Sequence, residues 1–176
     1  MSQKLRLGVI GAGLKAAEYA QSWAKMPEIE FVALADTTET SRKRLIDVCT
    51  ATGAPEPKSF EDYRDMLANA GLDGVVVATP PRTHAEIALS ALATGLAVLC
   101  EKPMALNVAE CDRMIAAARA NRVRLGVAYY RHFYPVIMRT KELIGVGKIG
   151  RPVIAQINAF EFFNPEPAHP RSWLLR

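Results

Sequence analysis

The chain of 176 residues is poor in cysteine, with three, and rich in no single charge sign. Cys49, Cys100 and Cys111 are odd in number and show no close-pair metal or redox spacing, which excludes a disulfide scaffold and a cysteine metal cluster. They read as reduced, mostly buried thiols of a cytoplasmic protein. No run approaches the ~18 apolar residues of a membrane span, so no membrane partner is expected. The apolar stretch ending at Ile10 stops at a glycine turn, too short for the core of a secretory signal. Twenty-two basic against 18 acidic residues leave a net charge of +4. These charges are scattered, so no nucleic-acid footprint is expected. The one cluster, Arg42-Lys43-Arg44, reads as a solvated helix face, with phosphate contact as the alternative. No internal repeat or low-complexity tract occurs.

What is present is an alternation of short apolar runs with helical stretches. Strands are predicted over Leu5–Ile10, Phe31–Ala35, Gly74–Ala78, Ala97–Cys100 and Val123–Ala128. A short further strand is expected within Ala54–Lys58, limited by two prolines. Helices are predicted over Leu14–Lys25, Thr40–Thr52, a segment capped by Ser59 with Asp62 at its third position, and a segment from the capping box Thr83-x-x-Glu86 to Gly95. Asn107 and Glu110 cap another. This is the pattern of an α/β protein: a doubly wound parallel sheet, in the order 3-2-1-4-5-6 if the connections are right-handed. Near Ala128 to Phe133 the pattern changes. A helix is expected over Pro135–Ile144, an alternating antiparallel strand over Pro152–Phe163, and a proline-rich loop over 164–171. The domains are therefore residues 1–128 and 129–176.

Three turns carry the chemistry. Gly11-Ala12-Gly13-Leu14-Lys15-Ala16 follows a strand and opens a helix. Gly11 permits a tight turn, Gly13 lets a pyrophosphate approach the backbone, and the helix N-terminus favours its charge. Asp36, 20 residues after Ala16, ends the second strand where a carboxylate can bind ribose hydroxyls. The alternative is that Asp36 caps a turn with Thr37 and Thr38. A carboxylate there repels a 2′-phosphate, so NAD is favoured, although Arg42 or Lys43 keeps NADP open. Thr79-Pro80-Pro81-Arg82-Thr83-His84 lies at the carboxyl end of the fourth strand. The helix dipole favours a neutral His84 imidazole, free to bond a sugar or amide, unless it bonds the backbone instead. Cys100-Glu101-Lys102-Pro103 ends the fifth strand. Glu101 could bind ribose hydroxyls, and Lys102 could donate to a substrate oxygen that gains charge as hydride arrives, unless the segment is only a surface turn.

The segments GVIGAGLKA, VVVATPPRTHAEIALSALATGLAVLCEKPMALNVAE and YYRHFYPVIMRTKELIGVGKIGRP, with the closing RSWLLR, resemble the glucose–fructose oxidoreductase, inositol 2-dehydrogenase and rhizopine-catabolism (Gfo/Idh/MocA) family along nearly the whole chain. The resemblance implies a Rossmann cofactor domain followed by the first helix and strand of a truncated α+β substrate domain. It implies that Gly11, Gly13, Leu14 and Lys15 line the pyrophosphate of NAD and that Asp36 takes the adenosine ribose. Thr79, Pro80 and His84 line the nicotinamide side, Glu101 and Lys102 face the nicotinamide ribose and the reacting carbon, and Lys102 is the catalytic lysine. Arg131 lies near the nicotinamide end. No metal is implied. The implied activity is an NAD(P)-dependent oxidoreductase moving a hydride between cofactor and a sugar, polyol or related hydroxyl compound, in a homo-oligomer. Relatives run to roughly twice this length, and their Asp-x-x-x-His acid/base stretch has no match here; His169 does not correspond to it. The alternatives are a dinucleotide-binding or NAD-sensing protein without chemistry, or an S-adenosylmethionine methyltransferase, against which the Glu-Lys-Pro turn argues. Pro81 stands where many relatives carry asparagine.

Overall fold

The short apolar runs of the first 128 residues that are read as strands become strands. In the computed structural model, which describes residues 3–158 and Glu166, these are β1 (Leu5–Ile10), β2 (Ile29–Ala35), β3 (Lys58–Phe60), β4 (Gly74–Val77), β5 (Ala97–Cys100) and β6 (Leu125–Val127). Between them run α1 (Leu14–Trp23), α2 (Glu39–Ala51), α3 (Tyr63–Asn69), α4 (His84–Ala93) and α5 (Val108–Ala120). The strands form one parallel sheet in the order β3-β2-β1-β4-β5-β6, as expected for a doubly wound sheet. The order reverses between β1 and β4.

Strand residues alternate between two cores, one on each face of the sheet. Val9, Leu34 and Val76 pack with Ala16, Ala20 and Trp23 of α1 and with Leu45 and Cys49 of α2. Ile10, Ala33, Ala35, Val75 and Val77 pack on the other face with Met66 of α3, Leu92 of α4 and Met114 of α5. The period of two follows from the pleat, and the coverage of both faces explains why β4 is buried throughout. Trp23 closes the first core edge-on to Phe31, with ring centroids 5.3 Å apart. β2 holds one residue more than its ladder uses. Leu7 pairs with Phe31 but Gly8 with Ala33, leaving Val32 without a counterpart on β1. The cysteines are free thiols, and burial pushes Cys49 up to about 11 and Cys100 to about 12.

Several local expectations are corrected. β3 starts at Lys58, past Pro55 and Pro57, which have no amide to give a ladder. Ser59 belongs to that strand and caps nothing; Asp62 is the cap of α3, its Oδ1 accepting the Arg64 amide at 2.8 Å. Thr83 does not build a capping box. It ends a 3-10 turn (Pro81–Thr83) with ψ −4°, and its side chain makes no cap bond. Glu86 is turned away, pairing with Arg64 at 2.7 Å and accepting from the Tyr63 hydroxyl at 3.0 Å. The Asn107 cap forms as expected: Oδ1 accepts the Glu110 amide at 2.9 Å, and Glu110 reaches back to the Leu106 amide at 3.1 Å.

The chain divides into two units between Tyr130 and Arg131. In the second, Pro135 opens α6 (Pro135–Gly145), where a residue without an amide hydrogen is tolerated. The alternating strand expected over Pro152–Phe163 is not found in its described part. Residues 152–158 join no ladder among the described residues. Val153 (87%), Ile154 (86%) and Ile157 (90%) are equally exposed, so neither face of the segment is packed. The rest of that strand, the proline-rich loop apart from Glu166, and His169 lie outside the described residues.

Candidate functional site

In an open parallel sheet, ligands bind beyond the carboxyl ends of the strands, where the order reverses. Here that is the crevice beside β1 and β4. Gly11 ends β1 at φ +95°, and its amide donates to Ala35 O at 2.8 Å. A Cβ on Gly11 would sit 2.7 Å from Ala78 O, so the turn is pressed against the end of β4 and only glycine fits. Gly13 is different. It is exposed, extended (φ −81°, ψ −167°), and a Cβ there would meet nothing within 4 Å among the described residues. It forms the N-cap of α1 without a side-chain acceptor, and the first turn of α1 carries no acidic residue. Free amides at an open helix N-terminus suit an anion. Leu14 stands 70% exposed at that mouth. Lys15 is not free: Nζ pairs with Glu18 at 2.5 Å and lies 5.7 Å from the centre of the Tyr130 ring. The Glu18 carboxylate holds the Lys15 ammonium above the usual lysine range.

Asp36 makes the turn cap that stood as the alternative reading, and reaches further. Its Oδ1 accepts the Thr38 amide and its Oδ2 the Ala12 amide, both at 2.8 Å. It therefore caps its own turn and also pins the glycine turn, with lone pairs left for further donors. The neighbouring basic triplet is not a uniform solvated face. Lys43 pairs with Glu39 at 2.6 Å, but Arg42 donates to Asp36 O at 2.5 Å and Arg44 to Ala12 O at 3.1 Å. Two guanidiniums are thus drawn to the two turns.

At the end of β4, Thr79 is half-buried and Pro80 exposed. Thr83 Oγ1 lies 2.8 Å from both Thr79 Oγ1 and Pro80 O. His84 is 1% exposed, with Nδ1 2.8 Å from Pro103 O and Nε2 2.8 Å from Thr79 O. Of the two readings of His84, the structure shows the backbone one: both ring nitrogens face backbone carbonyls.

At the end of β5, Glu101 is 7% exposed, and its amide donates to Val77 O at 2.9 Å. Its Oε1 accepts the Tyr19 hydroxyl at 2.9 Å and its Oε2 the Lys102 amide at 3.3 Å. Burial and the Glu101 carboxylate push the Tyr19 hydroxyl well above its ordinary range, so it remains a donor. Glu101 is thus braced by α1. Lys102 is exposed, and among the described residues its ammonium has no hydrogen bond or ion pair. The Lys102–Pro103 peptide bond is cis. Arg131 begins the second unit; it is exposed there, and its carbonyl accepts the Tyr134 amide at 3.1 Å. Among the described residues no group of three histidine, cysteine or acidic side chains could hold a metal.

Tyr19 was hidden from sequence reasoning. It is four residues from both Lys15 and Trp23 on α1, a spacing that reads as core, and its partner lies 82 residues downstream.

The residues of the site fit a dinucleotide: an open glycine cradle, a carboxylate at the end of β2 and, at the end of β5, an ammonium without a partner among the described residues. Comparison with known proteins agrees. Inositol 2-dehydrogenase 1 of Saccharopolyspora erythraea is 34% identical over 169 residues, 92% of this chain and 49% of that protein. The rhizopine catabolism protein MocA of Rhizobium meliloti is 30% identical over 166 residues, 94% of this chain and 50% of that protein. Among solved structures, the WlbA dehydrogenase of Bordetella pertussis, crystallised with NADH and UDP-GlcNAcA, superposes with a TM-score of 0.77 at 29% identity, covering 85% of this chain and 44% of that one. The chain spans about half the length of the curated relatives it matches. Residues 5–129 match the oxidoreductase family with an NAD-binding Rossmann fold, and the chain belongs to that family.

Proposed function

We propose that this chain is the cofactor-holding part of an NAD-dependent dehydrogenase that acts on a sugar, polyol or related hydroxyl compound. The observation that carries this reading is an exposed Lys102 at the end of β5, without a partner among the described residues, on the same edge of the sheet as the open Gly13 cradle and Asp36. Gly11, Gly13, Leu14 and Lys15 hold the pyrophosphate, and Asp36 takes the adenosine ribose through its remaining lone pairs. Thr79 and Pro80 line the nicotinamide side, and Glu101 faces the nicotinamide ribose. NAD, when bound, takes up or returns the hydride. Lys102 Nζ donates a hydrogen bond to the substrate oxygen and gives or takes a proton at that atom. Asp36 disfavours a 2′-phosphate, while Arg42, held at the Asp36 carbonyl, moderates that preference for NAD over NADP.

Residues 1–128 form the cofactor domain and residues 129–176 begin the substrate and oligomerisation domain. The substrate class follows the relatives, which include an inositol dehydrogenase. The working protein is a cytoplasmic homo-oligomer. The test is NADH binding to the chain by fluorescence, together with turnover followed at 340 nm in a version that carries its substrate domain. Lys102→Ala should abolish turnover while NADH affinity stays within about threefold, because an exposed ammonium adds little to ground-state binding. Unchanged kcat would remove Lys102 from the chemistry.

A further inference from the structure

His84 is the most deeply buried polar side chain near the crevice, and its two contacts lead to two different loops. Nε2 faces Thr79 O, in the loop that leaves β4, and Nδ1 faces Pro103 O, in the turn that leaves β5, both at 2.8 Å. At 1% exposure the ring has no room for water to replace either contact. A carbonyl oxygen only accepts, so each contact is a hydrogen bond when the nitrogen facing it carries a proton. The neutral ring makes one of the two, and the doubly protonated ring makes both. Lys102 immediately precedes Pro103. Its side chain has no partner among the described residues, and its amide meets Glu101 Oε2 at a long 3.3 Å. Past Glu101 the turn is tied down at Met104, which packs on the core and whose carbonyl accepts the Cys100 thiol at 3.5 Å, and at Pro103 O, which is its contact with His84.

We infer that His84 is a positioning residue, a clip that holds the Lys102 turn to the loop after β4 and so sets where the lysine stands. It acts through the backbone and touches no ligand. That the held turn faces the nicotinamide end of a cofactor rests on the function proposed above; the clip itself does not.

Three variants of the 176-residue chain test this. His84→Ala removes both contacts. His84→Asn keeps a donor near the Nδ1 position, toward Pro103 O, and His84→Gln keeps one near the Nε2 position, toward Thr79 O. In the ligand-free chain, His84→Ala should raise hydrogen exchange at the Lys102 amide about tenfold, while the Val9 and Leu45 amides on the far core stay unchanged. His84→Asn should restore the Lys102 amide and His84→Gln should not. Affinity for NADH should fall about tenfold in His84→Ala, through the freed Thr79–Pro80 loop rather than through the Lys102 ammonium, while ADP, which lacks the nicotinamide end, binds within twofold of the parent. An unchanged Lys102 amide in His84→Ala overturns the clip. A uniform rise across the sheet in all three variants also overturns it, since it would make His84 core packing alone. If His84→Ala does not fold, the contrast between Asn and Gln decides. If the parent chain binds neither NADH nor ADP, the proposed function fails, and the exchange data still decide the clip.

Discussion

Gly11 and Gly13 stand two residues apart in one turn and answer to different constraints. At Gly11 a side chain meets the Ala78 carbonyl at 2.7 Å, with φ at +95°. Gly11→Ala should therefore cost about 2–4 kcal/mol of unfolding free energy, read from denaturant midpoints, through clash and left-handed strain together. At Gly13 the space is empty and φ is −81°. Gly13→Ala should cost no more than about 1 kcal/mol in stability, the loss of a glycine N-cap, yet weaken NADH binding at least tenfold by filling the cradle. The sequence motif marks both glycines alike. It cannot say which one the fold needs and which one a ligand needs, because that depends on what the end of β4 presents. The same limit hid the Pro103 partner of His84, the Tyr19 partner of Glu101 and the Ala12 partner of Asp36. Each residue stood where the pattern placed it, but its hydrogen bonds run to backbone or side chains that only the assembled sheet brings near.

Helix caps show where local pattern reading holds at the level of the element. Asn107 and Glu110 form their cap because the residues before α5 are extended (Asn107 φ −154°, ψ 167°), leaving Oδ1 free to reach back over the first turn. Thr83 carries the same motif and fails. The Pro81–Thr83 turn winds it into a helical conformation, and its hydroxyl goes to Thr79 and Pro80. Asn107→Ala should thus lower unfolding free energy by about 0.5–2 kcal/mol, whereas Thr83→Val should leave the helicity of α4 unchanged by circular dichroism. The strands were legible from composition, since a run such as Gly74–Val77 has few other fates. The shift of β3 past its prolines was not, because pairing with Ala33–Ala35 settled its place.

For the whole molecule, strand order follows from chirality once the elements are known, and the carboxyl edge that gathers the candidate site follows from strand order. The second unit has no such rule to lean on. Val153, Ile154 and Ile157 stand open, and burying even one such side chain contributes about 1.5–3 kcal/mol. The chain is expected to sediment as a dimer or larger at micromolar concentration, and Val153→Ser/Ile154→Ser/Ile157→Ser should return it to the monomer. A parent chain that sediments as a monomer would contradict this.

The unmatched Val32 bears on how this strand tolerates changes of length. Ile29 and Phe31 pack in the same core as Leu34, which simple alternation along β2 would forbid; Ala33 and Ala35 line the other core. Val32 is the surplus residue that shifts the count. A chain without it would run from Phe31 straight to Ala33 with every remaining residue keeping its β1 partner and its face. Removing Leu34 instead would reverse the faces between there and Asp36. Insertions and deletions that leave the site aligned thus have one natural place in β2, four residues before the carboxylate that meets the glycine turn.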